Sequence, residues 1–432
     1  MRNTLPLLLL LAACGPRSQH GYADPPRATP ARPSGCIDVP PGALQAALRD
    51  AAPATALCLG EGTHPGPVAV PPGVTLWGPA DAVIRSDGKG STLFVTGDGA
   101  RILGLTVDGS GGRFDTLDAA VKVHEARNVT IEGIGVRGAV FGILVELADG
   151  ITVRGNHVQG TDVEALGLRG DSIRLWETRH SVVEGNVVEH GRDMVVWYSN
   201  DNVLRGNVVR GGRYGAHLMY SHGNDVTRNR FEDNVVGVFL MYSRNVGVRD
   251  NVFTGSSGSA GMGLGVKESG NLEVEDNRFV GNTVAVYLDN SPLQQDDRNV
   301  FRRNAFRLGD AGVVFHSSED RNTFEANRFR DNQAHVRVEG GGDAMGVAWN
   351  GNDFDDYAGY DFDGDAVGDV PYEMRSLAAE LVSRSPDLEF FRGSVTLSLI
   401  NVASEVVPLL APRTLLRDGS PRMGGLEASD AN

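Results

Sequence analysis

The chain has 432 residues, of which 41% are apolar and 7% aromatic, enough for one large core or two ordinary domains. Its 56 glycines and 20 prolines exceed what a helix-rich protein carries, yet stay below the level that marks disorder. A formal net charge of −15 excludes the basic face that a nucleic-acid partner requires, and an acidic surface suits solubility, cations or a basic protein partner.

Arg2 followed by the apolar run Leu5 to Leu11 and then Leu11-Ala12-Ala13-Cys14 reads as a bacterial lipobox. Residues 1–14 are therefore expected to be a lipoprotein signal peptide, with Cys14 acylated and anchoring the exported protein at the periplasmic face of a membrane. An ordinary signal peptide with a chance cysteine is the alternative. No later stretch reaches the ~18–20 apolar residues needed to span a bilayer. Residues 15–34 are rich in Pro, Ser and Arg and read as a flexible tether. Residues 35–60 read as an N-terminal cap, a short helical pattern over Gly42 to Ala51 between strand-like pieces. Cys36 and Cys58, an even pair in an exported chain, are expected to form a disulfide contributing roughly 3 kcal/mol. A thiolate copper site suits an oxidising compartment less well.

From residue 61 to 352 a repeat decides the fold. The segments GITVRGNHV, SVVEGNVV, NVLRGNVV, NDVTRNRF, NVGVRDNVF, NLEVEDNRF, FRRNAF, NTFEANRF and VAWNGNDF align on one asparagine each. These are Asn156, Asn186, Asn207, Asn229, Asn251, Asn277, Asn304, Asn327 and Asn352, spaced 21 to 30 residues apart. Between them apolar and polar residues alternate with period two, as in short strands. Such units cannot bury their apolar faces singly and must stack, which predicts an all-β, right-handed parallel β-helix. Asparagine suits the repeat because it tolerates left-handed turns and its amide can bond coil to coil. The leucine frame of leucine-rich repeats is absent, and a propeller needs longer units.

One strand per coil, about ten residues before each ladder asparagine, presents an outward face. Its fourth positions are Trp176, Trp197, Met219, Met241, Lys267, Asp289 and His316, with Val195, His217 and Phe239 alongside. The words WYS, MYS and MYS add Tyr198, Tyr220 and Tyr242. A solvent-facing strip of Trp, Met and Tyr marks a contact site. Met219, Met241 and His217 form a soft-donor set suited to Cu(I). Three readings stand at this point: a stripe covered by the chain's own loop, a docking face (Trp176, Trp197, Tyr198, Tyr220, Phe239, Tyr242) and a discrete copper site. Lys267, Asp289 and His316 are the groups a polysaccharide lyase or hydrolase on this fold would use, but with one carboxylate among them and no acidic cluster for calcium beside them a solvated charge ladder is the preferred reading. His64, His124, His157, His180, His190, His222 and His335 show no metal-ligand spacing.

Residues 353–373 form an Asp/Gly-rich closing segment. Asp361, Asp363, Asp365 and Asp369 resemble an oxygen-ligand loop for calcium without the terminal bidentate Glu of an EF-hand, and a hydrogen-bonded capping turn is the alternative. Residues 374–423, with Leu377, Leu381, Leu388, Phe390, Phe391, Leu397, Ile400, Val406 and Leu409, suit helices that cap the last coil or dock on a partner. Residues 424–432 read as a disordered end.

The block Trp349, Asn352, Tyr357, Gly359, Asp361, Asp363, Gly364, Asp365, Gly368, Asp369, Pro371 and Tyr372, together with the asparagine repeats and the MYS words, resembles the NosD family. Arg375-Ser376-Leu377 and Ser385-Pro386 extend the resemblance into the tail. Two departures are visible: Asp365-Ala366-Val367-Gly368-Asp369 replaces the usual D-G-I-G-D, and a lipobox is not general to such proteins. The resemblance implies a non-enzymatic periplasmic accessory protein for assembly of the copper–sulfur centre of nitrous oxide reductase. It also implies partners: the membrane subunit of an ABC transporter, and a copper chaperone or the reductase itself. The runner-up readings are a polysaccharide-active lipoprotein and a β-helix scaffold that only binds proteins.

Overall fold

Alternate apolar residues leave each short strand with one face to bury, and stacking coil on coil buries it. The computed structural model describes residues 23–318, 320–375 and 412–423, with isolated positions between 376 and 411. The chain winds into three parallel sheets of 14, 12 and 13 strands, an all-β solenoid. The 14-stranded sheet runs from Ile37–Val39 to Ala348–Asn350, the 12-stranded from Val68–Val70 to Ala334–Glu339, and the 13-stranded from Gly62–Pro65 to Asp353–Phe354. Successive coils stay in register, so Trp176, Trp197, Met219 and Met241 fall in one column. Leu44–Asp50 is the α-helix over the first coil, burying Leu44 and Leu48, and Cys36 and Cys58 are disulfide-bonded beside it.

The interior is a set of aromatic and aliphatic stacks. Phe231, Phe253, Phe279, Phe306, Phe329 and Phe354 follow one another with ring centroids 4.6 to 5.3 Å apart. Buried polar ladders line two corners. At the corner between the 14- and 13-stranded sheets each ladder asparagine is fully buried. Asn207 is typical: its backbone N–H and its Nδ2 both donate to Asn229 Oδ1 at 2.9 Å, and Nδ2 also donates to Val183 O. Serines form a second ladder at the corner after the 12-stranded sheet, where Ser199 N–H donates to Ser221 Oγ and Ser221 N–H to Ser243 Oγ. The serine of each WYS or MYS word is thus a corner brace.

Asparagine's role differs in one respect from expectation. The ladder asparagines are not the left-handed residues. That conformation falls on the residue before each, as at Gly155, Gly185, Gly206, Arg228, Asp250 and Ala326, with φ between 53° and 63°. The asparagine side chain must enter the coil from an ordinary backbone to reach its neighbours, so the turn strain is displaced by one residue.

The proline-rich N-terminal stretch, read as a tether, lies against the rod over the part that is described. Arg27 donates to the carbonyls of Gly133 and Leu105 at 2.7 Å and of Gly104 at 2.5 Å, and Trp77 Nε1 donates to Pro30 O. Asp24 sits between Arg210 and Arg230. This strap runs against the direction of coiling, from Asp24 at the middle coils to Pro30 near the first ones. Cys14 and the remainder of residues 1–22 lie outside the described residues, as do most of the apolar tail positions between 376 and 411.

At the far end, Thr414–Asp418 pairs antiparallel with Tyr372–Arg375. Tyr372 stacks on Phe354 at 4.0 Å and ends the phenylalanine stack. Asp418 ends the asparagine ladder: its carboxylate accepts from Asn352 N at 2.9 Å, Asn352 Nδ2 at 2.8 Å and Gly351 N at 3.3 Å. Removing that acceptor strands buried donors at the last coil. Asp418→Ala should therefore lower stability by about 2–4 kcal/mol and speed hydrogen exchange at Asn352, whereas Asp418→Asn should recover most of the loss. Unchanged exchange in Asp418→Ala would show that the ladder closes without this residue.

Candidate functional site

The outward face of the 12-stranded sheet carries two columns. One runs Trp176, Trp197, Met219, Met241, Lys267, Asp289 and His316, and the other Arg174, Val195, His217, Phe239, Gly265 and Tyr287. Sequence alternation places both in solvent, but the face is partly covered. Arg174, Val195 and His217 are buried, and Trp176, Trp197, Met219, Met241 and Phe239 half-buried, while Tyr198 and Tyr220 remain open at 43% each.

The cover comes from residues at the strand entrances. Asp171 and Asp193 are buried carboxylates at successive entrances. Asp171 contacts Arg174 at 3.2 Å and Arg192 at 2.7 Å, and Asp193 holds Arg213 at 2.5 Å. Burial pushes the Asp171 carboxyl up despite the Arg192 guanidinium. The Arg174 guanidinium lies over Trp176 at 4.6 Å and Trp197 at 5.5 Å, and Arg213 lies over Tyr214. Tyr214 closes over His217 and Phe239, with ring centroids at 4.8 and 5.5 Å. These residues escaped the sequence reading. Their signal was there, in Gly191-Arg192-Asp193 and Gly212-Arg213-Tyr214, where charge sits just ahead of an apolar strand.

His217 is the centre of this cluster. It is 6% exposed, with Trp197 on one side and Met241 on the other. Trp197 Nε1 donates to His217 Nδ1 at 3.3 Å, and His217 Nε2 lies 3.2 Å from Met241 Sδ. Met219 occupies the register position between Trp197 and Met241. The Phe239 ring lies on Gly265, where a Cβ would come within 2.6 Å of it. A thioether and a neutral imidazole in contact, with a second thioether one coil away, form a soft donor set that fits Cu(I) and offers nothing to a hard cation. Of the rings singled out in the sequence, Trp197 and Phe239 pack on His217 at 5.3 and 6.0 Å, and Trp176 packs on Trp197 and Tyr198. Tyr198, Tyr220 and Tyr242 stack at 5.4 and 4.7 Å along the turn, and Phe239 lies inside against Tyr214.

Farther along the same column Lys267 Nζ and His316 Nδ1 approach Asp289 at 3.2 and 3.1 Å. The Asp289 hydrogen bond raises the Lys267 ammonium. In the closing loop Asp361, Asp363 and Asp369 converge, and Asp365 stays outside that group. Asp361 accepts from the N–H groups of Gly364 and Ala366, and Asp369 from Phe362, which satisfies the loop's backbone. His335, set aside on sequence spacing, is buried and faces Asp355 at 2.9 Å and Asp356 at 3.3 Å. Burial raises the Asp356 carboxyl, but His335 and Tyr372 outweigh it and hold it below the usual range.

These features define a class: a parallel β-helix protein with a soft-donor pocket on one sheet and a structured acidic closure. Residues 158–359 match the family model described as periplasmic copper-binding protein (NosD), a span that contains the whole pocket. A Pseudomonas aeruginosa protein named probable ABC transporter binding protein NosD is 28% identical over 379 residues, 80% of this chain and 82% of its own length. A Stutzerimonas stutzeri protein of the same name is 26% identical over 359 residues, 76% of this chain and 78% of its own. The family model and both relatives support placing this chain with the NosD family. Among solved structures, the A-module of the Azotobacter vinelandii mannuronan C-5 epimerase AlgE6 superposes with a TM-score of 0.60, covering 73% of this chain and 94% of its own. At 18% identity that likeness concerns the fold alone. Among the described residues no helix is long and apolar enough to cross a membrane.

Burial pushes the His217 imidazole down to about 4, with Arg213 adding to the effect and Asp193 opposing it. Below pH 6.5 the unfolded chain takes up a proton that the folded chain refuses until about pH 4. Stability from this source is full above pH 6.5 and is lost as pH falls through that window, by roughly 3 kcal/mol at most. In copper-free protein, denaturant unfolding at pH 7 and pH 4 should show His217→Phe losing about 2–3 kcal/mol less than wild type. Equal losses would mean that His217 titrates as it does in water.

Proposed function

We propose that the protein is a non-enzymatic periplasmic accessory factor that holds copper in passage during assembly of the copper–sulfur centre of nitrous oxide reductase. The contact of His217 Nε2 with Met241 Sδ at 3.2 Å inside an aromatic enclosure carries this reading. Copper is cargo here, held by His217 and Met241 with Met219 as the third donor. The chain supplies a neutral imidazole, thioethers that stay soft and uncharged, and rings that keep water from the ion. The names of the relatives, probable ABC transporter binding proteins, support an ABC transporter as the partner system. The turn tyrosines Tyr198, Tyr220 and Tyr242, with Trp176, form the edge on which a copper donor, the reductase or the transporter's membrane subunit would dock. Anchorage at Cys14 would keep that edge near the membrane.

Competition for Cu(I) against a bicinchoninate probe tests the site. Met241→Leu and His217→Ala should each weaken binding about tenfold or more, and cells carrying them should accumulate reductase without its copper–sulfur centre. Wild-type affinity and a loaded reductase in both variants would remove the site assignment. The sugar-active reading rests on the convergence of Lys267 and His316 on Asp289. Turnover of uronate polymers that disappears in Asp289→Ala would establish it in place of the accessory role.

A further inference from the structure

Resting on the copper reading of the pocket, we infer that Trp197 is a latch that holds His217 in the tautomer unable to bind metal. Indole Nε1 is a donor and nothing else. Its bond to His217 Nδ1 at 3.3 Å requires a lone pair on Nδ1. The imidazole is therefore neutral and carries its one proton on Nε2, from which it donates to Met241 Sδ at 3.2 Å. A metal ion needs that Nε2 lone pair. Loading must move the proton from Nε2 to Nδ1, where an N–H would then face the indole N–H head to head.

Histidines that bind metals ordinarily give their second N–H to a carboxylate or carbonyl, which prepares the other nitrogen as a ligand. Here the second shell is reversed, with a donor standing where an acceptor is expected. The carboxylate that could supply one, Asp193, is engaged by Arg213 through two bonds and by the N–H of Tyr214. The latch is also held closed from outside, since the Arg174 guanidinium lies over Trp197 at 5.5 Å and Trp176 packs on it at 5.8 Å. Trp197 is half-buried, so its ring is not enclosed on every side. Trp197 is thus a positioning residue. It leaves the His217–Met241 pair paired to itself until the indole moves, which restrains the pocket from taking copper without that movement.

Two measurements test this. Imidazole ¹⁵N shifts of copper-free wild type should show His217 protonated on Nε2 and bare on Nδ1. A dominant Nδ1–H form overturns the latch whatever any variant does. In Cu(I) titrations against bicinchoninate, Trp197→Phe keeps a ring but loses the donor and should bind roughly three- to tenfold more tightly than wild type. Equal affinity overturns the latch and leaves the copper site standing. Binding by Trp197→Phe and not by wild type supports the latch in its strongest form. Failure of both proteins to bind Cu(I) removes the copper reading, and the latch falls with it.

Discussion

Each tight corner of a parallel coil turns backbone N–H and C=O groups inward, where neither water nor a strand partner reaches them. Buried asparagine amides meet that need in this protein, one per coil along the ladder from Asn156 to Asn352 and others, such as Asn202, Asn224 and Asn234, at further corners. A ladder oxygen takes two hydrogens from the coil before it, and its NH₂ reaches back to a buried carbonyl, as Asn229 does with Asn207 and Leu204. Because the amide spans coils, it also sets their register, and a slip of one residue would turn every side chain to the opposite face. The columns on the 12-stranded sheet inherit that register. His217 meets Met241 only because Asn207, Asn229 and Asn251 hold their three coils in phase.

A ladder of this kind cannot simply stop, since its last member would bury unpaired donors. Asp418, more than sixty residues further along, supplies the closing acceptor, and Tyr372 lays a last ring on the phenylalanine stack. Trp349, Asn352, Tyr357 and Tyr372 of the C-terminal signature all belong to this closure: Trp349 stacks on Phe324 and Tyr357 donates to Val370 O. These four residues of the motif serve to end the rod. The acidic loop between them answers its own backbone N–H groups in the same way.

What the sequence discloses about this molecule follows from how local each constraint is. Asn156 to Asn352 stand out because one residue per coil does one job, and Met219 and Met241 follow once register is known. The serines of the MYS words were hidden by their neighbours: a small residue braces a corner as Ser221 does, yet the eye goes to the tyrosine. Arg27 could not be told from any other arginine in a proline-rich stretch, because its bonds to Gly104, Leu105 and Gly133 cross more than seventy residues. Burial of His217 depended on Asp171 and Asp193 drawing three arginines over the sheet, which strand alternation does not encode. The donation from Trp197 to Nδ1 lies further still from sequence, since it turns on the direction of two rings.

The turn position that follows each strand of the 12-stranded sheet bears on function. It is left-handed in coil after coil: Leu147, Glu177, Tyr198, Tyr220, Tyr242, Glu268, Asn290 and Ser317 all have φ near 50°. The fold thus asks for a left-handed residue there and is indifferent to its side chain. Each non-glycine residue bears roughly 1–2 kcal/mol of strain at such a place, and asparagine or glycine would relieve much of it. Three consecutive coils nevertheless carry tyrosine, and they are the coils of Trp197, Met219 and Met241. Packing within the rod does not require these rings, since Tyr198 and Tyr220 stack on each other and stand open to solvent. Strain kept at positions the fold leaves free, beside the His217–Met241 contact, supports the docking edge proposed above. Tyr198 follows Trp197 in the chain, so on that proposal a partner seated there would bear directly on the backbone of the residue that donates to His217.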